Sequence, residues 1–192
     1  MTPSTPSSTS SARPSTTAKP PSWPGAGRRS FSGSIWGSMT GSPNLSFRPL
    51  EMDDLKAISL VHYRACLIAY QFMNWSYSLQ EVEAWYSPKF VEWSWTLAAF
   101  EADAMAGFIA LKGRHVDQLF VDPSRHRRGA GSALLERAIA SAHASALGRI
   151  TLDVFEQNFA ARAFYEKHGF RERDRWMNEE EGAIDLLYVR EG

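Results

Sequence analysis

Cysteine is almost absent from this chain: Cys66 stands alone, which excludes an intrachain disulfide and any cysteine-based metal cluster and fits a reducing compartment. A single thiol reads as a small buried apolar residue, and no metal site is expected. Long apolar runs are also missing. None approaches the roughly 18 uninterrupted residues of a membrane span, and residues 1–30 lack the apolar stretch of a secretory signal. The expectation is a soluble, cytoplasmic protein with no membrane association. Acidic residues are absent from the first fifty positions, which carry Arg13, Lys19, Arg28, Arg29 and Arg48. The formal net charge of zero therefore leaves 16 basic against 21 acidic residues in the remainder. That mildly acidic part has no basic stripe for a phosphate backbone, so nucleic acid is excluded as the first choice of partner, and a cationic small molecule is electrostatically easier.

What is present divides the chain in two. Residues 1–44 are dominated by Ser, Thr, Pro and Gly, with too few large apolar side chains to offset the entropy of ordering, and read as a disordered tail. An acid-free segment rich in Ser and Arg also fits an organelle transit peptide or an over-extended start. Residues 45–192 read as one folded domain.

Within it, residues 47–50 form a short strand, and Asp53 or Asp54 is placed to cap a helix running to about Tyr70. A second helix covers residues 79–86. Strand signals follow at 95–101, 105–112 and 115–121 as an antiparallel meander. Residues 132–146 carry Leu134, Leu135, Ala138, Ile139 and Ala142 at helical spacing, and 149–155 alternates as a strand. This strand, helix and strand make a crossover unit with parallel strands. A helix opens at Asn158 and stops at Gly169, and strands near 170–176 and 183–189 close the chain.

The sharpest chemical feature is residues 121–132, Val-Asp-Pro-Ser-Arg-His-Arg-Arg-Gly-Ala-Gly-Ser, a strand end passing through a glycine turn into a helix. Such a turn aims free backbone N–H groups at one point, and the helix dipole adds positive potential, which suits a pyrophosphate. Arg125, Arg127 and Arg128 add charge. It is neither a Walker loop nor a dinucleotide fingerprint, whose third glycine would fall at Leu134.

A second element is residues 158–170, Asn-Phe-Ala-Ala-Arg-Ala-Phe-Tyr-Glu-Lys-His-Gly-Phe. Together, and in this order, the two segments resemble the hallmark of the GNAT (GCN5-related N-acetyltransferase) superfamily. That hallmark is a Gln/Arg-x-x-Gly-x-Gly/Ala loop followed by Asn-x-x-Ala-x-x-Phe-Tyr-x-x-x-Gly-Phe. The specific resemblance covers about residues 105–170. One departure is that the first loop position is His126.

The resemblance implies an α/β fold, a mixed sheet of about seven strands flanked by four helices, and an acetyl-CoA-dependent N-acetyltransferase. It implies that the backbone of Leu119, Phe120 and Val121 meets the pantetheine arm and acetyl group. It further implies that His126, Arg127, Arg128, Gly129, Ala130, Gly131 and Ser132 wrap the pyrophosphate. Asn158 matches a cofactor-contacting position and also fits an N-cap. Tyr165 matches the residue that protonates the departing thiolate, a task suited to a neutral phenol of pKa about 10.

An acceptor ammonium must also lose a proton. Strand alternation puts Asp117 and His115 on the face of Leu119 and Val121, which makes Asp117 the candidate base; a solvated strand residue is the plain alternative. Trp75, Tyr77, Trp85, Tyr86, Trp93 and Trp95 make residues 75–95 unusually aromatic, and one or two of them are expected at the acceptor site. The acceptor is a small-molecule or protein amine, and a homodimer is left open. From another class, the chain fits a non-catalytic acyl-CoA-binding regulatory module.

Because residues 1–44 lack apolar anchors, deleting them is expected to leave melting temperature and acetyl-CoA affinity nearly unchanged. A large fall in either, measured by thermal scan and calorimetry, would show that the segment docks.

Overall fold

The computed structural model describes residues 45–144 and 148–192. The 1–44 segment, and with it the expectation of a tail, lies outside the described residues. In chain order the elements are β1 (Leu45–Arg48), α1 (Leu55–Ala69), α2 (Leu79–Tyr86), β2 (Trp95–Glu101), β3 (Ala104–Lys112), β4 (His115–Val121), α3 (Ala130–Ala144), β5 (Arg149–Phe155), α4 (Phe159–Lys167), β6 (Arg171–Asn178) and β7 (Ala183–Glu191). The seven strands form one sheet in the order β1-β2-β3-β4-β5-β7-β6. This is the mixed α/β sheet with four α-helices that the sequence implied. Among the described residues no helix is long and apolar enough to cross a membrane.

Local chemistry sets the boundaries. Asp54 stands at the α1 N-cap, but its carboxylate does not bond forward into the helix. It instead takes both Arg48 guanidinium nitrogens, at 2.7 and 2.8 Å, and the Glu51 N–H at 2.8 Å, which ties β1 to the helix it precedes. Ser78 and Glu81 cap α2 reciprocally, the Ser78 N–H reaching Glu81 at 2.8 Å and the Glu81 N–H reaching Ser78 Oγ at 3.3 Å. Gly169 ends α4 at φ 85°, a left-handed conformation suited to glycine.

Apolar side chains fill both faces of the sheet. Leu134, Leu135 and Ala138 of α3 and Tyr165 of α4 pack with Ile109, Val116, Ile150 and Leu152 on one face. Ile58 and Val61 of α1 and Val82 and Tyr86 of α2 pack with Ala98, Phe108 and Ala110 on the other. Cys66 is buried, and burial pushes its thiol pKa up, so it is an unreactive packing residue.

Three irregularities shape the centre of the sheet. First, β4 and β5 pair in parallel only at His115↔Thr151 and Val116↔Leu152, although both strands run on past these residues. Second, the β3–β4 register slips between Ala110↔Gln118 and Leu111↔Val116, leaving Asp117 as the extra residue of a β-bulge. The bulge overturns the expected alternation. Leu119 and Val121 pack on the α3–α4 face, whereas Asp117 accepts a hydrogen bond from Trp93 of the α1–α2 core at 2.8 Å. His115 stays on the Asp117 side, bonded to Thr151 Oγ1 at 3.0 Å.

Third, Gly107 lies opposite Val121 with no room for a side chain. A Cβ there would sit 2.6 Å from the Phe120 carbonyl oxygen and 3.1 Å from the Val121 Cα. Gly107→Ala is therefore expected to push β4 outward and destabilise the protein by about 1–3 kcal/mol. Gly131→Ala, whose Cβ would meet only ordinary contacts at 3.4 Å and beyond, is the control. Denaturant titration checks both; equal stability of Gly107→Ala and wild type would show that the strands have slack here.

Candidate active site

Where β4 leaves β5 a cleft of about 1360 Å³ opens, floored by both strands and walled by α1, α2, the β4–α3 loop, α4 and the β6–β7 turn. The Asp122 N–H bonds the Ala106 carbonyl at 2.9 Å, and this sets the phase of the antiparallel ladder. Phe120 and Gln118 direct their main-chain groups to β3, while Leu119 and Val121 direct theirs to the vacated β5 side. Of the three residues expected to present backbone, Leu119 and Val121 therefore do so. Phe120 spends its main chain on β3 and contributes a ring to the α1–α2 side.

The glycine loop borders the same cleft. The Ala133 N–H bonds the Gly129 carbonyl at 2.9 Å, so the N–H groups of Ala130, Gly131 and Ser132 precede the first helical bond and remain donors at the positive end of α3. Gly129 adopts φ 85° and Arg127 φ 62°; the loop thus places a non-glycine residue in a sparsely populated region beside the proposed anion site.

The loop side chains behave differently from one another. Arg128 bonds Glu101 at 2.8 and 3.1 Å, with Arg125 against the same carboxylate at 3.2 Å. Arg128 does not line the cleft, whereas Arg127 does, and no ion pair engages Arg127 among the described residues. His126 turns back, its Nε2 lying 3.2 Å from the Val121 carbonyl oxygen. It closes the loop onto the end of β4.

From α4, Asn158 caps the helix by accepting the Ala161 N–H at 3.2 Å while also lining the cleft. Ser132 is 3.0 Å from His168 Nε2, and His168 Nδ1 is 2.7 Å from the Phe164 carbonyl. The Nδ1–H donates to that carbonyl, and this clasp joins the start of α3 to the end of α4. Tyr165 is packed against Phe164 and Phe170 at ring separations of 5.3 and 5.8 Å. It lines the cleft, and its hydroxyl has no hydrogen-bond partner among the described residues. Burial pushes its pKa up, keeping the phenol protonated at neutral pH.

The opposite wall contains a residue that sequence reading missed. His62 of α1 stacks on Phe120 at 4.2 Å and 12° and is flanked by Trp75 and Trp85 at 6.2 and 5.9 Å. Its Nδ1 lies 2.6 Å from Tyr86 Oη. Tyr86 Oη donates to Gln118 Oε1 at 3.2 Å, and Gln118 Nε2 lies 3.4 Å from the Asp117 carboxylate. A single histidine on a helix among apolar neighbours carries no sequence signal of this kind; only the fold brings it to β4.

Asp117 also borders the cleft, but it is engaged. Burial would raise its pKa, yet the Trp93 indole N–H, Lys112 and Lys89 outweigh burial and hold the carboxyl below its usual range. Of the aromatic run, Trp75, Tyr77 and Trp85 line the cleft, while Tyr86 and Trp93 are buried in the core and Trp95 packs on the other face. Glu180, Glu181 and Asp185 from β7 and the turn before it add carboxylates to the rim. Burial raises Glu181 first, and the neighbouring carboxylates Glu180 and Asp185 raise it further.

Burial lowers the His62 pKa to about 4. Its ordinary pKa in the unfolded chain is higher, so protons favour the unfolded state as pH falls from about 6.5 towards 4. His62 thus costs no stability above about pH 6.5 and about 2 kcal/mol by pH 5. The stability gap between wild type and His62→Gln should shift by that amount, in favour of the variant, between pH 7 and pH 5 in denaturant titrations. A constant gap would show that the ring charges freely in the folded state.

These elements are matched in known proteins. The sequence profile of the Acetyltransferase (GNAT) family matches residues 64–170. "Peptidyl-lysine N-acetyltransferase YjaB" of Escherichia coli K12 is 29% identical over 151 residues, covering 76% of this chain and 97% of its own length. The solution structure of apo-form YjaB from Escherichia coli has a TM-score of 0.64 at 26% identity, over 76% of this chain and 97% of that one. The PaiA N-acetyltransferase of Thermoplasma acidophilum, solved in complex with coenzyme A, shares the fold with a TM-score of 0.63 at 21% identity, over 78% of this chain and 99% of that one. With more than half its length matched by the family profile, and a sheet that parts at the same crossover from which its glycine loop departs, this chain belongs to the GNAT family of acetyltransferases.

Proposed function

We propose that the protein transfers an acetyl group from acetyl-CoA to a primary alkyl amine of the lysine kind, by direct attack within a ternary complex. The observation that carries this reading is the convergence on one cleft of three donor groups: the open main chain of Leu119 and Val121, the free amides at the start of α3, and the Tyr165 hydroxyl.

The amides of Ala130, Gly131 and Ser132, with Arg127 beside them, suit a pyrophosphate; Arg128 serves instead to brace the loop on Glu101. A pantetheine arm fits the vacated β5 side of β4, where its amides can replace the missing strand partner at Leu119 and Val121. An N–H there also polarises a thioester carbonyl as the amine attacks. The C–N bond forms, the C–S bond breaks, and Tyr165 supplies the proton that the thiolate takes up. The likeness to a peptidyl-lysine acetyltransferase supports a lysine side chain as acceptor. The aromatic and carboxylate rim supports any slim cationic amine.

A purely acyl-CoA-binding module needs no proton donor at the sulfur. The test is thiol release from acetyl-CoA with a lysine-containing peptide, a polyamine and a free amino acid as acceptors. Release should require a primary amine, and binding without release in every case would make the chain a binding module. Tyr165→Phe should lower kcat by about 10²–10⁴ with acetyl-CoA affinity near wild type. An unchanged single-turnover rate would leave the hydroxyl with only a packing role, worth about 0.5–1.5 kcal/mol of stability.

A further inference from the structure

We propose that His62 is the residue that receives the acceptor amine, its Nε2 held as a bare hydrogen-bond acceptor towards the cleft by the chain His62–Tyr86–Gln118–Asp117. The proposal rests on the acetyl-transfer reading for its chemistry, and on the hydrogen-bond geometry and burial around the ring for the state of the ring.

The protons in this chain can be assigned from its far end. Asp117 is ionised and can only accept, so the Gln118 amide turns its NH₂ towards it, at 3.4 Å. The Gln118 carbonyl then faces Tyr86, and the phenol is its donor among the described residues, at 3.2 Å. Were the Tyr86 proton given to His62 instead, the Tyr86 and Gln118 oxygens would confront one another beside a fully buried phenol ring with no proton between them. The Tyr86 oxygen is thus left as acceptor for His62, and Nδ1 must carry the ring proton across the 2.6 Å contact. Nε2 keeps its lone pair. Phe120 fixes the plane of the ring by stacking, and Phe120 lies between Leu119 and Val121, the two residues whose main chain faces the gap.

Magnitudes decide when this nitrogen can act. An alkylammonium of pKa about 10 will not surrender its proton to an imidazole that burial holds near 4. That first proton leaves to water, and the neutral amine enters, donating one N–H to Nε2 and aiming its lone pair at the thioester carbon. As the C–N bond forms, the nitrogen becomes cationic and, once the thiolate departs, N-protonated amide in character, a far stronger acid than imidazolium. Nε2 then takes the proton and later returns it to water. Among the described residues the titratable group in contact with the ring is Tyr86 of α2, with Asp117 of β4 behind Gln118, and the wider cleft is lined by the acidic Glu81, Asp153, Glu180, Glu181 and Asp185 and the basic Arg125, His126, Arg127 and Lys167. On α1 itself, Arg64 is paired with Asp122 at 3.1 Å.

Two measurements on the full chain test this. Long-range nitrogen–proton NMR of the His62 ring at pH 7 should show the Nδ1–H tautomer, charging only near pH 4, and Tyr86→Phe should change the tautomer ratio. An Nε2–H ring, or a titration near 6.5, overturns the assignment whatever the acceptor. With acetyl-CoA and a lysine-containing peptide, His62→Phe, which keeps an aromatic ring over Phe120, should lower kcat/KM for the peptide about 10²-fold or more. KM for acetyl-CoA should not move. His62→Gln, which retains an acceptor atom, should recover part of the rate. The wild-type kcat/KM should climb with pH towards the pKa of the peptide amine with no inflection near 6.5. Wild-type rates in a folded His62→Phe protein overturn the proposal. If wild type acetylates no amine, the acetyl-transfer reading fails instead, and the amine role of His62 falls with it even where NMR finds the Nδ1–H ring.

Discussion

The structure depends on a hydrogen-bond ladder that stops early. After two residue pairs β4 parts from β5, and every later feature of the cleft follows from that parting. Unpaired main-chain groups in a sheet interior are costly, and folded proteins rarely leave them without partners. Leu119 and Val121 carry such groups, so the gap favours any ligand with amides of its own. The His126 contact to the Val121 carbonyl satisfies one of these acceptors from within the chain. The position where the family motif carries Gln or Arg is thereby used to finish a strand.

The gap stays open because the strands on either side are held by other partners. The bulge at Asp117 re-aims the strand beyond it, sending Leu119 and Val121 towards α3 and α4 and Phe120 towards α1. Gly107 allows β3 to follow the displaced strand at a separation that a methyl group would forbid. On the far side, β5 is held to β7 along its full length, from Arg149↔Glu191 to Phe155↔Asp185. It cannot swing back to meet β4. Two well-paired half-sheets thus meet at a short seam, and the glycine loop and α3 depart from the far end of β4, beyond Val121.

The parts of this arrangement that were legible in the sequence are those encoded by neighbours along the chain. The span of α2 follows from a helix over residues 79–86 that must stop before Pro88, and that of β5 from the alternation of Ile150, Leu152 and Val154, so both matched closely. The loop at 126–132 and the run from Asn158 to Gly169 could be read because glycine, cap and aromatic positions sit at fixed spacing. What could not be read depends on pairing across the sheet. Nothing local to Asp117 announces a bulge; the slip is a property of β3 and β4 together. Arg128 looked like a phosphate ligand until Glu101, 27 residues away, arrived beside it. His62 is the clearest case, since its partners Tyr86, Gln118 and Phe120 come from two other elements.

The two walls of the cleft differ in how they handle protons, and this asymmetry has a common cause. Both Tyr165 and His62 are enclosed by aromatic rings, and enclosure disfavours the charged form of each. For a phenol that means the proton is kept; for an imidazole it means the proton is refused. Burial therefore favours a proton donor on the α4 wall and a proton acceptor on the α1 wall, the polarity that the proposed reaction would use. Amine acylation by a thioester requires this polarity, because a proton must leave nitrogen on one side as another reaches sulfur on the other. Of the carboxylates that line the cleft, Asp117 is bound by Trp93 and Lys112, and Glu180 and Glu181 lie on the turn between β6 and β7. Negative charge is thus available where a cationic acceptor would arrive, while a phenol and an imidazole that burial keeps neutral stand on the α4 and α1 walls.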